Sequence, residues 1–278
     1  TWDVPPEYVL LVGDSEYIPT SSYDNYYATL EGGDNLVDIN VGRFTADNVT
    51  QCDLMVAKTL GYKKTPYMHD LDWFRSGCLI VREDYDAGDA IYFEDTWFIW
   101  GLMDREGFAQ IDTLFRRNGS DRDDVHAAIT DGRVFLNFRG QGVSNWWSPF
   151  DCDPNLTNPG FKLPVVVAAT CASGNFSGDG YPCEAWFKAG TSTAPKGSVA
   201  SIGTAVVDSH VAEYRSAVDQ GFFNGIFNLK MYTIGEAKVN GQLNLYTLYP
   251  SETGEYNGWN VQGDPELDVW TQIPIYPD

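Results

Sequence analysis

Arg133-Val-Phe-Leu-Asn-Phe-Arg-Gly-Gln-Gly142 and Pro164-Val-Val-Val-Ala-Ala-Thr-Cys-Ala-Ser-Gly174 are the two stretches whose reading decides the fold. Each is a short, continuous apolar run closed by a small polar turn, the pattern of a strand buried on both faces. Working outward, Glu7-Tyr-Val-Leu-Leu-Val-Gly-Asp14, Asp38-Ile-Asn-Val-Gly-Arg43, Ser76-Gly-Cys-Leu-Ile-Val81 and Gly197-Ser-Val-Ala-Ser-Ile-Gly203 read the same way. Between them, apolar residues fall at helical spacing over 48–62, 92–106, 122–130, 181–189, 210–228 and 228–238. Strands alternating with helices of about a dozen residues imply βαβ units, hence an α/β fold with a mostly parallel sheet covered on both faces. A last strand is expected over 270–278, running out into a linker. Breaks near 62–72 and 119–124 suggest two lobes, a partial N-terminal one over 1–72 and a larger one over 73–278.

The 278 residues are 43% hydrophobic and 21% charged, which excludes a disordered, collagen-like or coiled-coil chain. A net charge of −21 repels phosphate backbones and anionic lipid, and no basic patch offsets it, so nucleic acid is not an expected partner. The longest apolar runs fall far short of the ~20 residues of a membrane span. Five cysteines without CxxC pairs and three scattered histidines make neither a disulfide scaffold nor a zinc centre. No cofactor is required by this reading. The acidic run 82–89, with Glu83, Asp84, Asp86 and Asp89, could gather a structural calcium ion, but a solvated loop is the favoured reading of the same residues.

In parallel sheets, ligands bind beyond the carboxyl ends of the strands. That rule selects Gly13-Asp14 with the nearby Tyr23-Asp24-Asn25, Arg82-Glu83-Asp84, Arg139-Gly-Gln-Gly142, Thr170-Cys171-Ala172, and Gly203-Thr204 with Asp208-Ser-His210. Cys171 ends a buried strand and is followed by small residues, as an accessible nucleophile would be; a buried structural thiol is the competing reading. The glycines around Gln141 would let backbone N–H groups approach a ligand closely, as an oxyanion donor must. Four Asn-x-Ser/Thr sequons, at Asn48, Asn118, Asn155 and Asn175, decide nothing.

The two segments together, Phe138-Arg-Gly-Gln-Gly142 with Trp146-Trp147 after it and Ala169-Thr-Cys-Ala-Ser-Gly-Asn-Phe176, resemble the gingipain-type cysteine peptidases of the caspase-like group. The resemblance extends to Tyr8–Asp14, Tyr23–Tyr27, Asp38–Arg43, Pro182–Ala185, 197–203 and Gly263–Leu267. It implies a caspase-like three-layer sandwich. It also puts Cys171 at the nucleophile, Gly142 at the oxyanion-binding amide, Asp24 in the pocket for a basic substrate side chain, His210 beside that pocket and Trp147 among the substrate contacts. By the same resemblance the chain acts on proteins or peptides, outside a bacterial cell, as part of a longer polypeptide.

One departure counts against full activity. The family's general base is the histidine of a His-Gly pair, and this chain has Gln141-Gly142. Glutamine hydrogen-bonds but cannot take a proton from a thiol or return one to a leaving amine. Losing such help costs ~10²–10⁴ in rate. The expectation is therefore a weakened or inactive peptidase domain; the alternative is a pseudopeptidase serving as a binding or assembly module. Of the histidines, only His210 follows a strand end on the edge that carries Cys171, and it is the candidate substitute base. An α/β hydrolase or nucleotide enzyme is excluded for want of a nucleophile elbow or phosphate loop.

Overall fold

A computed structural model of the chain describes residues 6–20, 23–143, 145–178, 180–207 and 212–274. The elements run β1 (Tyr8–Val12), β2 (Asn40–Phe44), α1 (Val49–Lys63), β3 (Ser76–Val81), α2 (Asp89–Glu106), β4 (Gln110–Phe115), α3 (Arg122–Asp131) and β5 (Phe135–Arg139). They continue with β6 (Val165–Ala169), α4 (Pro182–Lys188), the small hairpin β7 (Gly190–Thr191) and β8 (Ala194–Pro195), β9 (Ala200–Thr204), α5 (Ala212–Phe227), α6 (Ile234–Leu248), α7 (Thr253–Asn257) and β10 (Trp259–Gln262). Eight strands form one sheet in the order β1-β2-β10-β9-β6-β5-β3-β4.

Strand β6 shows why the continuous apolar runs are strands. Val165, Val167 and Ala169 join a core shared with Ile99 and Met103 of α2, Val218 and Phe222 of α5 and Leu245 of α6. Val166 and Ala168 face the other way, onto Val125 and Ile129 of α3 and Trp186 of α4. The side-chain period of two thus sends alternate residues into two separate cores, and both must be apolar. This gives the expected α/β three-layer arrangement.

Four features differ from the sequence reading. Strand β4 was not expected, because its half-exposed residues give no continuous apolar run. The last strand is β10 rather than a segment within 270–278, where residues 270–274 are irregular and 275–278 lie outside the described residues. The last long helix is shifted, starting at Ile234 behind a Thr233 cap that accepts from Glu236 N–H. Finally, β1 and β2 are joined to the other strands through β10, and Tyr62 shares a core with Trp73 and Phe74, so the expected division between residues 72 and 73 is not a break in sheet or core.

Strand direction decides what can meet. Strands β4, β3, β5, β6 and β9 are parallel, whereas β10 is antiparallel to β9 and parallel to β2. Hence β1, β2 and β10 run against the other five. Gly13-Asp14, at the end of β1, therefore leaves the sheet at the edge opposite Cys171, and Asp14 is met there by Lys188 at the end of α4, 3.4 Å away.

Candidate active site

Strands β5 and β6 pair with Arg139 opposite Ala169. Gln141 and Cys171 each lie two residues beyond that pair, so they leave neighbouring strands, about 4.8 Å apart, at the same height. The turn after β6 is locked tightly. Ser173 Oγ donates to the Ala168 carbonyl at 2.6 Å, Ala172 N–H to Val206 at 2.9 Å and Gly174 N–H to Thr204 at 3.0 Å. Ala172 adopts φ +51°, a left-handed conformation unusual outside glycine. A side chain at Gly174 would meet the Gly203 carbonyl oxygen at 2.1 Å, so only glycine lets the turn lie on β9. These constraints hold Cys171 half-exposed at the mouth of the sheet.

The Gln141-Gly142 turn is anchored from below. Trp146 is buried and stacks on Phe138 at 4.3 Å with the rings parallel, and on Trp186 at 5.6 Å. Gln141 and Val143 exchange backbone hydrogen bonds with Trp147 and Asn145, which makes Gly142 and Trp146 the non-hydrogen-bonded pair of that bridge. In such a pair the residues' own N–H groups point out of the ladder. Gly142 N–H is thus directed away from the turn, as an oxyanion donor needs. A Cβ at this position would meet the Asn145 carbonyl oxygen at 2.7 Å. Trp147, next along, is 45% exposed and lies beside the Arg82 guanidinium, a free aromatic surface at the same edge.

Cys171 has a partner that sequence reasoning did not single out. Arg215 Nη1 of α5 donates to Cys171 Sγ at 3.0 Å. The Arg215 side chain is almost fully buried, and its Nε lies 3.5 Å from Glu255 Oε1 of α7. Glu255 in turn accepts from Trp259 Nε1 at 3.1 Å, and burial pushes its carboxyl upward in pKa. Helix α5 is brought over the site by Arg139, which donates to the carbonyls of Ala169 and Ala212 and pairs with Asp95 at 2.7 Å. The signal was present in the sequence: Arg215 and Asp219 are charged residues four apart in a helix whose other buried residues are almost all apolar.

Two histidines can be placed. His126 Nε2 accepts from Asp153 N–H at 3.2 Å on α3, and burial pushes its pKa down, so it is a neutral structural acceptor. His69 lies against the Tyr67 ring in the loop after α1. His210, the expected neighbour of the pocket, falls outside the described residues.

Asp24 is reached through the nucleophile turn. Its backbone N–H donates to Asn260 Oδ1, and Asn260 Nδ2 donates to the Gly174 carbonyl. The carboxylate itself faces inward: Arg43 Nη2 and Nε bind its oxygens at 2.6 and 3.0 Å, with both side chains almost fully buried. Arg43 also donates to Gly13 and Ile18 carbonyls and stacks on Phe176. The Asp24 carboxylate is therefore committed within the protein, rather than presented to a basic ligand as expected. The neighbouring residues Tyr23, Asn25 and Tyr26, with Thr29, Asn35 and Asn257, instead line an uncharged cleft of about 380 Å³.

The acidic run after β3 is also used internally. Asp89 accepts from the Asp84 and Tyr85 amides, Asp86 from Gly88 N–H, Asp84 pairs with Arg82, and Glu83 with Arg117. Asp86 and Asp89 thus cap the turns that lead into α2, while Asp84 and Glu83 are paired with arginines. The one cluster among the described residues whose carboxylates converge is Asp14, Glu16 and Asp47, and there the Lys188 ammonium lies 3.0 Å from Asp47.

A mostly parallel eight-stranded sheet between two layers of helices, with a thiol and a backbone amide at neighbouring strand ends, defines a caspase-like α/β fold. The family model Peptidase family C25 matches residues 1–270, and the chain belongs to that family. It is 27% identical over 290 aligned residues to Gingipain R2 and to Gingipain R1 of Porphyromonas gingivalis, covering 96% of this chain but 38% of the former and 28% of the latter. The chain thus spans well under half the length of these curated relatives. Among solved structures it is similar to the Arg-specific cysteine proteinase gingipain R, with a TM-score of 0.85 at 22% identity, covering 96% of this chain and 65% of that one. A complex of the RgpB pro- and mature domains from Porphyromonas gingivalis matches with a TM-score of 0.86 at 22% identity. The chain is a cysteine peptidase-like domain.

Proposed function

We propose that this is a gingipain-like domain that retains the nucleophile, Cys171, and the oxyanion amide, Gly142, but is a weak or inactive endopeptidase as it stands. The carrying observation is that the adjacent strand end carries Gln141, and that Arg215 lies 3.0 Å from Sγ. Neither accepts a proton, since an amide is not a base and a guanidinium stays protonated. The thiol can still attack an activated carbonyl, with Gly142 N–H receiving the developing oxyanion. Gln141 and Arg215 do not supply the acid that expulsion of a poor leaving group such as an amine requires.

Thiol chemistry of this kind needs no cofactor. The substrate or partner is a protein or peptide, and by analogy with the family the domain works outside a bacterial cell. No helix among the described residues is long and apolar enough to cross a membrane. Gln141 equally favours a pseudopeptidase that binds a partner without cleaving it.

The test is Gln141→His, assayed on fluorogenic peptides beside the unsubstituted protein and Cys171→Ala. The weakened-enzyme reading expects a rise of about 10²–10⁴ in turnover, absent in the Cys171→Ala background. It also expects an activated peptidyl electrophile to label the unsubstituted protein at Cys171. No labelling, and no gain from the histidine, would leave the binding-module reading standing.

A further inference from the structure

We infer that Arg215, braced by Glu255, is a positioning residue for Cys171: it fixes the sulfur's direction and supplies a permanent positive charge beside it. The inference rests on the reading of Cys171 as the nucleophile and adds to it the group that takes over the electrostatic half of a missing imidazole's work. An imidazole partner does two things for a thiol, moving its proton and placing a cation beside the sulfur. A guanidinium can do only the second.

The geometry supports this division. Arg215 Nη1 lies 3.0 Å from Sγ and directs an N–H at it. The rest of its guanidinium cannot swing away, because Nε is drawn to Glu255 Oε1 at 3.5 Å and the side chain is only 6% exposed. Glu255 is itself held by Nε1 of Trp259, the first residue of β10. The brace therefore runs from the sheet, through α7, to α5 and onto the sulfur. Long Arg side chains are normally left in water, and burying one here, aimed at the nucleophile, is unlike a surface ion pair.

The consequence is selectivity by charge. In alkylation by a haloacetyl reagent, the sulfur forms a bond to carbon, the carbon–iodine bond breaks, iodide departs and the thiol proton goes to buffer. Anionic iodoacetate and neutral iodoacetamide differ chiefly in charge, so the ratio of their rates at Cys171, read by peptide mass spectrometry, reports the local field. In Arg215→Met that ratio should fall about tenfold, and in Arg215→Lys it should stay within about threefold of the unsubstituted value. Arg215→Gln keeps a donor without the charge and gives the same comparison if the methionine variant does not fold. An unchanged ratio in the folded neutral variants overturns the inference for Arg215 while leaving Cys171 a nucleophile. A Cys171 that reacts with neither reagent in the unsubstituted protein overturns both.

Discussion

Two of the buried arginine–carboxylate pairs near the Cys171 turn, Arg43–Asp24 and Arg215–Glu255, are built for different ends. Arg43 and Asp24 bind each other through two guanidinium nitrogens at 2.6–3.2 Å, and the remaining donor of Arg43 goes to backbone carbonyls. That pair closes on itself beneath the turn, with Phe176 stacked on it. Arg215 and Glu255 approach to 3.5 Å, and Arg215 Nη1 donates to Cys171 Sγ at 3.0 Å. The difference teaches that a buried charge pair serves either as a strut or as a mount for a neighbouring atom, and that the geometry of the second contact tells which.

The largest effect should come from breaking the strut. Arg43→Met leaves Asp24 buried without its partner and should cost about 3–5 kcal/mol in denaturant unfolding, whereas Arg215→Met, which breaks a looser pair, should cost about 1.5–3 kcal/mol. Equal costs would erase the distinction.

A pH measurement sharpens the same comparison. Lys238 Nζ donates to Asn25 Oδ1 beside Asp24, and burial lowers its pKa from 10.5 to about 7, with Asp24 pulling back the other way. The unfolded chain then binds more protons than the folded one between pH 7 and pH 10.5, so this group makes stability rise with pH across that window. Below pH 7 both states hold the proton and the contribution is flat at its lowest. Lys238→Met should remove a slope of about 1 kcal/mol per pH unit between pH 8 and pH 9, read as the difference between the two proteins' unfolding curves. Identical slopes would mean the ammonium is not enclosed with Asp24.

The smallest effect concerns specificity. With its oxygens on Arg43, Asp24 should matter little to a ligand, so in folded Asp24→Asn the ratio of Cys171 labelling by arginyl and alanyl probes should change by less than about threefold, roughly 0.6 kcal/mol. A larger drop would return Asp24 to the pocket.

Much of this was legible beforehand because parallel strands buried on both faces must be continuously apolar. The runs ending at Arg139 and Ala169 announced β5 and β6, and the second residue after each, Gln141 and Cys171, falls at the same sheet edge. Strand β4 escaped because Gln110-Ile-Asp-Thr-Leu-Phe115 is only half covered and mixes polar residues in. Arg215 and Glu255 escaped for another reason: they are 40 residues apart, and nothing local in either says that α5 and α7 converge on β6.

What the sequence determined by itself, then, was the strongly patterned part: the strands buried on both faces, most of the helices, and the residues at those strand ends, since these follow from local burial patterns and turn chemistry. The tertiary structure alone decided the partners. It reversed β1 and β2 relative to Cys171, turned Asp24 inward onto Arg43, and brought Arg215 to the sulfur. Strand direction and helix docking are set by contacts between distant segments, and the charge of a side chain does not reveal which opposite charge it will meet.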